Sequence, residues 1–323
     1  KAMAAPNLSE IVTTTLRNRS GEFADNVTKD LALLRRLEER GNVKPADGGR
    51  TLVQELEYAE NSTFQYYSGY EVLNVAPSEV FSAAEYNWKQ AAVNVTWSGL
   101  EADIQNAGRE KVIDLLEGRI GNAKRTMANN LSTGIFSDGT GTSSKQVGGL
   151  QSLVADAPTT GTVGGINRAN YSFWRNNIYD FSDESVTASS STIQAAMRTL
   201  YLSCKSGSSR SEAPDFSVAG TTYFEYFWDS LTTIQRITRD DTGNAGFDSL
   251  KFRNADVFHD EDCSSTRMYM LNTQYIFWRP HRNRNMVPLE RKGAINQDAT
   301  VVPIVWAGNM TMSNAARQGV ILA

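Results

Sequence analysis

His259 and Cys263 stand four residues apart in FHDEDC (258–263) and come nearest in this chain to a base and a nucleophile. A cysteine nucleophile needs a base at hand and a third group to orient that base. The surrounding sequence supplies neither the third group nor a local signature. Asp260, Glu261 and Asp262 add hard oxygen ligands, but a metal site needs several converging donors. With two histidines and two cysteines in 323 residues, the expected reading is a solvated acidic turn. DGTGTSSKQVGG (138–149) has the glycines of a phosphate loop, yet a Walker pattern ends in Gly-Lys-Ser/Thr and opens a helix after a strand. Here Ser144 precedes Lys145, Gln146 follows, and the stretch comes after a helical segment. No serine lies in G-x-S-x-G. No catalytic residue, metal or cofactor is therefore assigned.

Two other groups of residues suit contact rather than catalysis. RPHRNRN (279–285) carries Arg279, Arg282 and Arg284, with Arg291 and Lys292 close behind. The chain as a whole has 32 basic and 36 acidic residues, a net charge of -4, whereas a protein that grips nucleic acid needs a basic excess. Ion pairing to acidic neighbours, such as the 260–262 turn of another copy, is the expected role of this cluster. NSTFQYYSGYEVL (61–73) has the Asn, Ser and Gly of a loop but also Phe64, Tyr66, Tyr67 and Tyr70. Left exposed, these rings make a sticky patch. Packed under a neighbour they would bury about 600–1000 Å², on the order of 15–25 kcal/mol gross, an upper bound because binding entropy opposes it.

The elements that position these residues read as mixed α+β. Residues 7–48 form an arm with one short helix around 31–37. GRTLVQELEY (49–58) and AAEYNWKQAAVNVTWSG (83–99) read as the two strands of a long hairpin with the aromatic stretch at its far end; Ala91, Val93, Val95 and Trp97 alternate with more polar neighbours. After Gly108 the period changes. Val112, Leu116, Ile120, Ala123, Met127 and Leu131 fall in steps of three or four, predicting a helix from Arg109 to about Thr133. Gly118 and Gly121 within it each cost about 1 kcal/mol against alanine, so packing must hold it. Residues 137–167 read as loop. A helix is expected over 191–204, a strand over 214–220, a helix after it, and strands through 249–280 and the C-terminus, with no βαβ rhythm and no internal repeat. No apolar run approaches the ~18 residues of a membrane span, and KAMAAPNLSEIV lacks the apolar core of a signal peptide. Two cysteines make no disulfide framework, so a reducing cytoplasm is the expected site of folding.

This order of parts resembles the major capsid proteins of tailed bacteriophages, with the Hong Kong 97-type fold. The resemblance runs through nearly the whole chain, and NQDATVVPIVWAGNMTMSN (296–314) carries it most specifically. It implies an N-terminal arm (1–48), an extended β-hairpin loop (49–99), a peripheral domain with a long spine helix (100–185), an axial domain (186–278) and a C-terminal return to the peripheral domain (279–323). It further implies a virion subunit assembling in the host bacterial cytoplasm into hexamers and pentamers of an icosahedral shell. Its partners would be other copies of the chain, with portal, scaffold, protease and cement proteins, and packaged DNA held without sequence-specific contact. Phe64, Tyr66, Tyr67, Tyr70, Arg279, Arg282 and Arg284 would be inter-subunit contacts.

Two departures from the family's type member stand out. That capsid locks itself by Lys–Asn isopeptide bonds from the extended loop, and residues 51–88 here contain no lysine; a non-covalent shell, or one held by cement protein, is expected. No long coiled-coil scaffolding segment precedes the arm, so scaffold is expected as a separate protein or a segment removed ahead of residue 1. The alternatives are an encapsulin-like bacterial compartment, a cytoplasmic hydrolase with an unrecognised site, and a monomeric binding module whose aromatic stretch is satisfied within one chain.

Overall fold

The computed structural model describes residues 32–99, 112–206, 212–231, 249–290, 292–293 and 297–323. Of the arm, residues 1–31 lie outside these. Among the described residues the chain gathers into two units, one from Gln90–Thr133 and His281–Ala307, the other from the stretch up to Lys89, Gly134–Pro280 and Gly308–Ala323.

The larger unit is built on a six-stranded sheet. β1 (Leu52–Glu57) and β2 (Phe81–Tyr86) form a separate antiparallel hairpin. β3 (Lys89–Ser98) follows, and after the long helix come the tiny hairpin β4 (Thr162–Val163) and β5 (Ile166–Asn167), then β6 (Asn177–Asp180), β7 (Phe216–Ala219), β8 (Ser249–Phe252), β9 (Ala255–His259), β10 (Met268–Leu271) and β11 (Ile276–Pro280). β12 (Val287–Pro288), β13 (Lys292–Gly293), β14 (Ala299–Met312) and β15 (Gly319–Leu322) complete the chain. The six-stranded order is β6-β15-β10-β7-β9-β8, with β6–β15 and β7–β9 parallel. β7 and β10 are buried at every residue, the mark of a strand covered on both faces. Ile193, Met197, Leu200 and Cys204 of one helix and Tyr223 and Phe227 of another join Val257, Met268, Met270 and Ile321 in a single core.

α1 (Ala32–Glu39) lies where the arm was expected to be helical. It buries Leu33 and Leu37. Buried Asp215 receives Arg40 at 2.8 Å and Arg36 at 3.4 Å, as well as the backbone N–H and hydroxyl of Thr273, both at 2.7 Å. The chain then runs beside β11: Val43 bridges Trp278, and the N–H groups of Lys44 and Ala46 donate to the carbonyls of Trp278 and Pro280.

The smaller unit contains most of α2 (Val112–Ile135), whose 24 residues span about 36 Å at 1.5 Å per residue. Ala123, Met127 and Leu131 are buried, as their spacing predicts; the side chains of Val112 and Leu116 lie outside the described ones. β3, β12 and β13 pair with β14. Besides single helical turns such as Leu150–Leu153, the described residues include the helices α3 (Ile193–Cys204) and α4 (Thr221–Ser230).

One difference from expectation concerns residues 83–99, read from sequence as a single strand. They form the end of β2 and all of β3, and only β2 pairs with β1. Beyond Leu52 the first strand has no ladder to offer, because Gly48 and Gly49 sit at φ +144° and +112°, outside β geometry. Asn87 and Trp88 turn the chain away: the carbonyl of Asn87 accepts from the Asn309 side chain at 2.8 Å, and the Trp88 indole donates to the Gly49 carbonyl at 2.9 Å. The second difference lies in 137–167, read as loop. It includes β4 and β5, joined through Gly164 and Gly165 with φ +58° and +75°, a two-residue hairpin turn of the kind that demands positive φ at both positions.

Candidate assembly surface

The β1–β2 stem alternates except at Ser82, which is exposed opposite Leu56. Leu52, Leu56, Ala84 and Tyr86 face inward and are buried, while Val53, Glu55, Glu57, Phe81, Ala83 and Glu85 face solvent. The inward face is tied to the body at several points. The Tyr86 hydroxyl donates to the Met312 carbonyl at 3.1 Å and lies 3.3 Å from the Met312 N–H; burial raises its pKa well above that of a free phenol. The Glu85 N–H donates to the Gly164 carbonyl at 2.9 Å. A methyl group on Gly164 would stand 2.9 Å from the Ala84 Cβ and 3.1 Å from the Tyr86 ring, so only glycine lets β4–β5 lie this close. Arg279 donates to the Val53 carbonyl at 2.7 Å.

Past the stem, residues 58–80 are closed at the neck by the Tyr58 N–H donating to the Val80 carbonyl at 3.0 Å. Their bonds are mostly to each other. Asn61 accepts from the Thr63 N–H at 2.9 Å, the Gln65 amide donates to the Val72 carbonyl at 3.2 Å, and Glu71 accepts from the Ser68 N–H at 3.1 Å. Phe64 and Tyr66 make an edge-to-face pair with centroids 5.2 Å apart. Among the described residues nothing covers the rings: Phe64 is 76 % exposed, Tyr66 91 %, Tyr67 65 %, and Tyr70 fully. Val72 and Val75 are almost as open, and Phe81 continues the apolar surface down the outer face of the stem. Sequence reasoning missed these last three. The alternation of Phe81 with Ser82 was the available signal, but it needs the hairpin register to be read.

The basic cluster divides. Arg279 is half-buried and bound to the stem, whereas Arg282 and Arg284 are exposed. The acidic turn is partly spent within its own chain: Asp260 is buried and accepts from the Asp262 N–H at 2.9 Å. Among the described residues no three of His, Cys, Asp and Glu gather as a metal site requires. His259 packs on Phe224 and meets the Thr221 hydroxyl at 3.1 Å. Cys263 is buried with its Sγ toward the Arg267 carbonyl, and burial, then the nearby Asp260, pushes its pKa up to about 12. A thiol so far from ionising is no nucleophile at neutral pH. In the glycine-rich loop the Gly148 N–H donates to Asn309 and the Gly139 N–H to Ser137, so those amides serve the fold. No helix among the described residues is long and apolar enough to cross a membrane.

No protein-family profile and no curated protein matches the sequence. Solved structures do match in fold. The cyanophage A-1(L) capsid subunit superposes with a TM-score of 0.70 at 12% identity, over 94% of this chain and 95% of that one. The capsid of cyanophage P-SCSP1u gives 0.57 at 12% identity over 100% and 99%. The SrpI encapsulin of Synechococcus elongatus gives 0.53 at 10% identity over 98% and 95%. The chain thus has the Hong Kong 97-type capsid fold, in agreement with the α+β order read from the sequence.

Proposed function

We propose that this chain is the major capsid protein of a tailed bacteriophage, a structural subunit and not an enzyme, which assembles with copies of itself into hexamers and pentamers of an icosahedral shell around the DNA genome. The observation that carries the reading is the match to a phage capsid subunit over nearly the full length of both chains. The uncovered aromatic tip fits it: four rings held out on a stem tied to the body stay exposed among the described residues. Phe64, Tyr66, Tyr67 and Tyr70 are proposed to pack on a sister copy, and Arg282 and Arg284 to lie at inter-subunit contacts. Arg279 is proposed for the same role, although its guanidinium also secures the stem. Portal, scaffold, protease and cement proteins are the further partners of such a shell, and the virion is its location.

The five-part division stands as part of this proposal: arm 1–48, extended loop 49–99, peripheral domain 100–185, axial domain 186–278 and return segment 279–323. An encapsulin-like compartment is the second reading, favoured by the SrpI likeness, and the higher TM-score of the phage subunit places it second. Negative-stain microscopy and size-exclusion chromatography of the expressed protein test the shell. Closed particles are expected, and packaged DNA rather than cargo protein in particles from infected cells separates phage from encapsulin. A protein that remains monomeric at every concentration refutes both.

A further inference from the structure

The outer face of the hairpin stem carries a charge pattern that the aromatic tip does not explain. Register places Val53 opposite Glu85, Glu55 opposite Ala83 and Glu57 opposite Phe81, so three carboxylates and two large apolar side chains share one exposed face. Glu55 and Glu57 are about 7 Å apart along the strand, close enough for two like charges to repel. Among the described residues none of the three is paired with a cation; Glu85 meets only the Thr51 hydroxyl, at 3.5 Å. The bias extends through the whole hairpin: residues 51–88 hold six glutamates and no lysine, arginine or histidine.

The return segment is the converse. Residues 279–292 hold four arginines and one lysine against a single acid, Glu290. Arg282, Arg284 and Lys292 are exposed, and Val287 and Leu289 stand partly open between them. Short pairings to β14, Val287 with Val305 and Lys292 with Val301, fix Val287–Pro288 and Lys292–Gly293 as strands, and Arg282 and Arg284 stand in the turn just ahead of them. Each surface sets apolar side chains among charges, wholly acidic on the stem and, Glu290 apart, basic on the strip.

From this we infer that the outer face of the stem docks on the 282–292 strip of a second copy of the chain, Glu55, Glu57 and Glu85 meeting Arg282, Arg284 and Lys292, with Val53 and Phe81 against Val287 and Leu289. The inference rests on the shell reading and deepens it by naming which surface each hairpin meets. DNA on the strip would leave the exposed carboxylates of the stem unexplained; a second copy sets an acidic face against a basic one. The 260–262 turn is a poorer acidic partner, since Asp260 is buried. Opposite charges on such contacts steer association and fix its register.

Charge exchange tests it. One variant reverses the face (Glu55→Lys with Glu57→Lys), the other the strip (Arg282→Glu with Arg284→Glu), and both are checked for native circular dichroism and thermal unfolding. Each alone is expected to need at least about tenfold more protein to assemble, while an equimolar mixture co-assembles near the wild-type concentration because each reversed face then finds a reversed strip. Wild-type assembly should also weaken as NaCl rises, since ion pairs are screened. That measurement needs no variant. The inference is overturned if both variants assemble as wild type does, if assembly is insensitive to salt or strengthened by it, or if strip reversal alters only DNA retention. It is equally overturned if the mixture fails while a single chain carrying all four changes recovers, which would put the pairing within one chain. In these outcomes wild-type particles still form and the shell reading stands; a wild-type protein that never assembles removes both.

Discussion

Gly164 and the two cysteines show how single residues carry this fold. Gly164→Ala places a methyl group against Ala84 and Tyr86 at a backbone φ of +58°. The combined crowding and left-handed strain should cost about 2–3 kcal/mol, read as a lower denaturation midpoint. An unchanged midpoint would mean that β4–β5 does not brace the stem. Cys204 and Cys263 are both buried, and burial pushes each thiol from an ordinary 9.0 up to about 12. The folded pKa lies above the unfolded one. The stability linked to these thiols is therefore complete below pH 9 and is lost as pH climbs toward 12. Neither thiol should react with a disulfide reagent in the native protein at pH 8, and both should react after denaturation. Rapid labelling of a native thiol would contradict the packing described.

At the scale of elements, the arm helix and the stem are held by different physics. α1 is fastened by Asp215, which gathers two arginines and the Thr273 N–H in a buried position. Removing that carboxylate strands the Thr273 amide and releases both cations. Asp215→Ala should destabilise the larger unit by roughly 2–4 kcal/mol, less than a fully buried pair because Arg36 and Arg40 are partly exposed. Hydrogen exchange should show the loss first in α1 and in β11 beside it. If protection in α1 is unaltered, Leu33 and Leu37 suffice to dock it. The stem depends on apolar alternation and on Tyr86. Its tip has little intrachain packing, which suits a segment ordered by association, since a lone two-stranded hairpin is marginal in water.

For the whole molecule, assembly should depend on the tip and proceed without a covalent lock. Replacing Phe64, Tyr66, Tyr67 and Tyr70 by serine removes rings that are exposed among the described residues, so thermal stability of the monomer should be kept while particles fail to form. Loss of folding instead would show that the rings are needed within one chain. The hairpin has no lysine between 51 and 88, and Lys89 at its base already donates to the Ser144 carbonyl. Mature particles boiled in detergent should therefore run as a single monomer band, and a ladder of cross-linked species would refute this.

The amino-acid sequence by itself determined what periodicity encodes: the long helix through Ala123, Met127 and Leu131, the strand series after 249, and the presence of aromatic residues in a loop. Those are features of near neighbours along the chain, where a period of 2 or 3.6 is visible directly. Tertiary structure alone decided which strands pair. It broke 83–99 at Asn87, put β3 on β14, placed Gly164 under Tyr86 and sorted Glu55, Glu57 and Glu85 to one side of the stem. Each depends on partners far apart in sequence, and because a one-residue shift in register sends every side chain to the opposite face, composition could name the charges but not the surface they share.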